Sequence, residues 1–402
     1  MSISKSSIAL GNLRAFAVLI VVAFHSVLAY LGSLPASPAP FDSPPYQWKA
    51  TPIIDSQRWF GFDLFCAFNY IYMMHLMFFL SGLFVWASLR RKGARRFLCD
   101  RLLRLGVPFV MGVYLLMPVA HYPVYRVTAV DPSWSAFWTH WTALPFWATG
   151  PLWFLWHLLL LDVAAVGLYW LAPRWAEFLG RLSATAGVRP GRYFIVLVGI
   201  SALAYMPLAA AFKPWEWSQF GPFAFQPGFT LEYVVYFFAG LGVGAHGLEG
   251  GLLDPAGMLA RRWAAWLAGA LAAFLVWIIP TAMITQEQAT VPGLKIIADF
   301  GFVLSSAASC FALVSMFVRF ATRRRAVFDS LSENAYGIYL VHYVFVIWLQ
   351  YLLLGLPIFA LAKAAIVFSG TLLLSWAMTS AVCRLPIGAR LVGTERRLAR
   401  AR

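Results

Sequence analysis

Residues 10–31 read LGNLRAFAVLIVVAFHSVLAYL, an apolar run long enough to cross the roughly 30 Å hydrocarbon core of a bilayer as a helix. Two polar residues interrupt it, Arg14 and His25. At about 1.5 Å and 100° per residue, their spacing puts them roughly 16 Å apart along the helix axis and on nearly the same face. Ionisable groups in lipid cost several kcal/mol and usually point into protein or a wet cavity, so this helix face is the first candidate site. A snorkelling arginine near a helix end and a histidine bonded to a neighbouring helix satisfy the same spacing. Position alone leaves both readings open.

The rest of the chain has the same apolar character. Of its 402 residues, 61% are hydrophobic and 12% charged, with a mean hydropathy of +0.73, whereas soluble domains carry about 25% charged residues. The chain is therefore read as an all-α polytopic membrane protein. Ten apolar runs qualify as spans, at residues 8–30, 70–88, 103–120, 151–171, 193–212, 229–246, 262–284, 296–318, 335–354 and 359–382. With the N-terminus inside, 24 of the 31 Lys and Arg residues fall in alternate, inner segments and five in the outer ones. That asymmetry predicts cytoplasmic N- and C-termini. It also accounts for the net charge of +15 without a nucleic-acid partner. Residues 1–385 form one transmembrane domain in this reading, and residues 386–402 a basic cytoplasmic tail. The first run exceeds the usual 7–15-residue core of a signal peptide and contains an arginine, so it is read as a retained span. No internal repeat is visible, nor the Gly/Pro interruption of a transporter's broken helices. Four cysteines without paired spacing support neither a disulfide framework nor a zinc site, and no metal is expected.

Several segments place reactive or polar groups in or beside the spans. Residues 73–89, MMHLMFFLSGLFVWASL, contain His75 and the pair Ser81-Gly82, the latter a close-packing position for another helix. Residues 90–109 hold seven basic residues, of which Arg101 and Arg104 sit one turn apart at the inner mouth of the third span. Paired guanidinium groups there suit phosphate, while most of the run serves equally as a topology signal facing anionic headgroups. Trp134, Trp138 and Trp141 share a helical face before the fourth span, as an interfacial anchor or a platform for sugar rings. Trp153, His157 and Asp162 follow within that span; the last two, five residues apart, do not form a dyad. His342 lies in apolar company in the ninth span, and a bond within the bundle explains it as well as a catalytic task.

Four motifs together resemble one family of integral-membrane enzymes, acyltransferase family 3. LRAFAVLIVVAFH resembles its first-helix mark of an arginine, ten residues and a histidine. MFFLSGLFV resembles its second-helix segment ending in Ser-Gly, DRLLRLGVPF its basic approach to the third helix, and LSENAYGIYLVHYVFV its late Ser-x-x-x-Tyr-x-x-Tyr-Leu-x-His pattern. The resemblance implies a bacterial inner-membrane O-acyltransferase that takes an acyl group from cytoplasmic acyl-coenzyme A, with no permanently bound cofactor, and passes it to a carbohydrate hydroxyl. His25 matches the family's essential histidine, with Arg14, Arg101 and Arg104 as donor contacts. His75, Ser81, Trp153, His157 and His342 are further pocket candidates. His75 stands where many members carry Asp, and residues 153–157, WFLWH, stand where many carry Trp-Ser-Leu and acidic residues. Both departures resemble the branch containing glucan biosynthesis protein C, which implies succinyl as well as acetyl donors. The rival expectation is a proton-coupled transporter or flippase of an anionic glycan or lipid precursor, with His25, His75, His157 and His342 relaying protons.

Overall fold

The computed structural model describes residues 4–172, 174–287 and 292–392. Among them, ten helices are long and apolar enough to cross a membrane. They are α1 (Lys5–Tyr30), α2 (Gly61–Lys92), α3 (Ala94–Thr128), α4 (Gly150–Leu171), α5 (Pro190–Ala211), α6 (Pro227–His246), α7 (Trp263–Thr285), α8 (Gly293–Phe320), α9 (Ala326–Leu352) and α10 (Ala360–Val382). All ten expected spans are present. Most helices run a few residues past the apolar core of their sequence. Within the expected tail, Pro386–Val392 forms a short helix, and residues 393–402 lie outside the described residues.

Helix α1 packs against α2, α8, α9 and α10, so both faces that flank Arg14 and His25 are covered by protein. Helices α2 and α8 are the most enclosed, and α7, α10 and α5 the most lipid-exposed. The α2–α6 contact depends on glycine. A Cβ on Gly82 would stand 2.1 Å from the Phe237 carbonyl oxygen, one on Gly240 2.1 Å from that of Phe79, and one on Gly244 2.0 Å from that of Leu83. Hydrogen at these three positions lets the two backbones touch, as small residues do where lipid provides no hydrophobic drive between helices. The sequence expectation for Gly82 holds; Ser81 instead returns its hydroxyl to the Met77 carbonyl at 2.8 Å.

Two spans are irregular where the sequence suggested uninterrupted helices. After Gly82, α2 turns at Leu83 and Phe84 before resuming at Val85. Helix α3 contains two widened turns with i→i+5 bonding, Leu102–Gly106 and Gly112–Leu116. A proline follows each widened turn, Pro108 the first and Pro118 the second, and Pro123 lies further along the helix. Pro108 has no N–H for the carbonyl four residues back, that of Arg104, which accepts the Tyr336 hydroxyl of α9 instead. Pro123 does the same to Val119, whose carbonyl accepts the Trp348 indole N–H of α9 at 2.9 Å. Two proline-freed carbonyls thus fasten α9 to α3.

The chain between α1 and α2 is too short for a domain, yet it is anchored. Lys363 in α10 and Asp55 in this loop form a fully buried ion pair at 2.6 Å. Asp55 also bonds the Ala29 carbonyl through its backbone N–H at 3.0 Å. Arg58 donates to the carbonyls of Leu34 and Pro35 at 2.5 and 2.6 Å. Removing one partner of a buried pair leaves a stranded charge, so Asp55→Asn is expected to destabilise the protein by about 3–5 kcal/mol. Adding Lys363→Met should restore at least half of that loss in detergent-based thermal unfolding; a double variant as unstable as the single would show that the pair's charge is not what holds the loop.

Candidate functional site

His25 occupies the last α-helical turn of α1, partly buried. Its Nδ1 lies 2.8 Å from the Val21 carbonyl oxygen. A carbonyl only accepts, so Nδ1 carries a proton, and in the neutral ring Nε2 holds the lone pair. His342 of α9 is fully buried, and its Nδ1 lies 2.6 Å from the Tyr339 carbonyl oxygen, which fixes the same tautomer. The bare Nε2 of His342 then stands 3.3 Å from the His25 Nδ1. Gln350, two turns further along α9, donates to the carbonyls of His25 and Ser26 at 2.9 and 3.2 Å. The end of α1 is thereby clamped to α9. The two histidines that sequence reading left separate are a contacting pair, and its free nucleophilic atom is the Nε2 of His25.

One end of this site is closed by aromatic rings. Tyr343 meets His25 edge-on at 5.4 Å and lies 5.9 Å from His121 of α3. His121 in turn contacts Trp141 at 5.4 Å and Trp48 at 5.2 Å. Trp48 stacks on Phe41 at 4.7 Å and donates to its carbonyl at 2.8 Å. Of the three tryptophans expected on one surface, Trp134 and Trp138 are exposed while Trp141 is buried against this cluster. The inward end of the helix Trp134–Ala143 makes the difference. Gly150, at the start of α4, has a φ of +47°, a conformation that glycine adopts readily. A Cβ there would approach the Tyr343 ring to 2.9 Å and the Met117 sulfur to 3.0 Å.

The other end is basic. The Arg14 guanidinium lies over the Phe84 ring at 5.0 Å, which the break in α2 presents. Arg101 bridges to the buried Asp162 of α4 at 3.1 Å and covers the Phe97 ring at 4.9 Å. The Arg104 backbone carbonyl accepts the Tyr336 hydroxyl. Between the ends runs α9. Tyr336 faces Arg104, Tyr339 donates to the Pro151 carbonyl, and His342 meets His25. Six residues separate Tyr336 from His342, about 9 Å of helix rise.

The remaining candidates lie elsewhere or serve other bonds. His75 is buried against Glu232 of α6 at 3.1 Å, beneath the rings of Tyr233 and Tyr236 at 5.2 and 4.9 Å. His157 is buried edge-on to Trp153 at 5.3 Å, and Trp153 meets Trp217 at 5.5 Å. Trp217 precedes a hairpin of β1 (Ser218–Phe220) and β2 (Phe223–Phe225). His157 and Asp162 are not a dyad, as expected; Asp162 belongs to Arg101. Sequence reading passed over His121, Glu232 and Gln350. Each is a polar residue within an apolar run, the same signal that selected His25.

A family model for the acyltransferase domain, acyltransferase 3, matches residues 7–380. The chain belongs to this family. No curated protein and no solved structure matches it. It is an acyltransferase embedded by multiple spans, and a neutral imidazole with a bare Nε2 is the form that takes a hydroxyl proton or attacks an acyl carbon. Gly150→Ala is expected to push Tyr343 against His25 and lower acyl-transfer turnover about tenfold to a hundredfold, the effect of misplacing a reacting group by about 1 Å. Turnover assays on the purified variant check this, and an unchanged rate would show that the Tyr343 position is not critical.

Proposed function

We propose that this acyltransferase takes an acetyl or succinyl group from coenzyme A thioester on the cytoplasmic side of a bacterial inner membrane and esterifies a glycan hydroxyl on the other. The observation that carries the reading is that α9 bonds through Tyr336 to the arginine-bearing α3 and through His342 to His25. The excess of Lys and Arg at the basic end supports a cytoplasmic location. Arg14, Arg101 and Arg104 there suit the phosphates of coenzyme A. The exposed rings of Trp134 and Trp138 suit the faces of a sugar.

In direct transfer, the His25 Nε2 takes the acceptor hydroxyl proton as the oxygen bonds to the acyl carbon. The C–S bond breaks, and the thiolate leaves with its electron pair and then receives the proton from Nε2. In the two-step route, Nε2 itself bonds to the acyl carbon as the C–S bond breaks and thiolate leaves; the hydroxyl oxygen then bonds to the acyl carbon as the C–N bond breaks, and the hydroxyl proton ends on the coenzyme A thiol. An acyl adduct on His25 without acceptor would identify the second route.

His25→Ala is expected to lower transfer by about 10²–10⁴ with folding and membrane insertion unchanged. Arg14→Ala should raise the KM for acyl-coenzyme A about tenfold, the loss of one charge-assisted contact, with a smaller change in kcat. Purified protein given labelled acyl-coenzyme A tests both, and mass spectrometry of cell-surface and periplasmic glycans with and without the protein identifies the transferred group. Proton-coupled uptake of an anionic glycan without loss of thioester would overturn the reading in favour of transport.

A further inference from the structure

We infer that His342 is a positioning residue for His25: it locks the reactive tautomer and shares the Nδ1 proton when charge develops on the His25 ring. The inference rests on the acyl-transfer reading above. Both nitrogens of His342 are committed. The proton on Nδ1 is held by the Tyr339 carbonyl at 2.6 Å, so Nε2 is an acceptor, and it shares at 3.3 Å the single His25 Nδ1–H that also meets the Val21 carbonyl at 2.8 Å. The opposite tautomer of His25 would set its Nδ1 lone pair against the Val21 carbonyl oxygen at 2.8 Å and against the His342 lone pair as well. Two repulsions disfavour that form, which leaves Nε2 bare.

The same bond acts during reaction. When His25 Nε2 gains the hydroxyl proton, an N–H bond forms and an O–H bond breaks, and the ring becomes an imidazolium. Its Nδ1–H then donates a charge-assisted bond to His342, stronger than the neutral one at rest. In the two-step route the new N–C bond makes Nδ1–H equally acidic, and His342 Nε2 can take that proton as thiolate leaves and return it as His25 is displaced. The acceptor is an uncharged imidazole. Within lipid this matters, because a carboxylate in its place would bear a full buried charge in the resting state.

The alternative role for His342 is packing. It is fully buried with its ring 5.9 Å from Tyr339 and 6.3 Å from Tyr343. Two substitutions separate the roles. His342→Phe keeps a ring of similar size and removes the acceptor, whereas His342→Gln loses the ring and keeps an amide that can both donate and accept. His342→Met fills the volume without a strong acceptor and replaces the Phe variant if that fails to fold.

The first measurement needs no acyl donor. Diethyl pyrocarbonate carbethoxylates unprotonated imidazole nitrogen, and peptide mass mapping of the purified full-length protein follows its rate at His25. His342→Phe is expected to slow this labelling about tenfold, the equivalent of one hydrogen bond of about 1.4 kcal/mol, while His342→Gln stays within about threefold of wild type. In transfer assays, His342→Phe should lose about 10²-fold in kcat with the donor KM within about twofold, and His342→Gln should recover most of that loss. Labelling or turnover of His342→Phe at the wild-type level, or a Gln variant no better than Phe, would overturn the inference. If wild-type protein leaves thioester intact, the acyl-transfer reading fails; the order of labelling rates still decides the role of His342.

Discussion

A carbonyl without a donor is costly in hydrocarbon, and α3 has proline-freed carbonyls to satisfy. No water is at hand in lipid to bond the groups that Pro108 and Pro123 release. Tyr336 and Trp348 of α9 fill those roles, and a third bond ties Tyr339 to Pro151 at the head of α4. These bonds set the rotation and height of α9 against α3 and α4. With that rotation fixed, His342 is directed at His25 and Tyr343 at the His25 edge. The placement of the candidate site thus follows from backbone bonding that has no chemistry of its own.

The two ends of the site are built differently, and each follows from its local physics. At the basic end, the arginines are spread over α1 and α3 and steadied by ring faces and one buried carboxylate. At the other end, the cover is made of rings stacked from the α1–α2 loop, α3 and the helix Trp134–Ala143. The buried Lys363–Asp55 pair holds that loop down. Between them, His25 and His342 meet at 3.3 Å with each Nδ1 facing a backbone carbonyl.

Not every ionisable residue in the spans belongs to this site. His75 and Glu232 form a separate buried pair between α2 and α6, the same two helices that touch through Gly82, Gly240 and Gly244. Close backbone approach and a shared polar pair are two ways of joining helices where both faces are as apolar as the lipid. His157 is enclosed by aromatic rings beneath the hairpin. Sequence reading grouped these histidines with His25 because all are polar residues in apolar runs; only their neighbours separate them.

The sequence by itself determined the ten spans, the concentration of charge at one end, and the likeness to the acyltransferase family that its model match establishes. Those features are local: apolar length, loop charge and short motifs are each written in consecutive residues. Arg14 and His25 were also legible, because one helix periodicity relates them. The partnership of His25 with His342 was not, nor that of Arg101 with Asp162, since hundreds or tens of residues intervene and nothing in either segment names the other. The prolines of α3 were visible as residues, but the donors that answer them lie on α9. Tertiary structure decided those pairings, because in lipid each freed carbonyl and buried charge takes the partner that packing brings within reach.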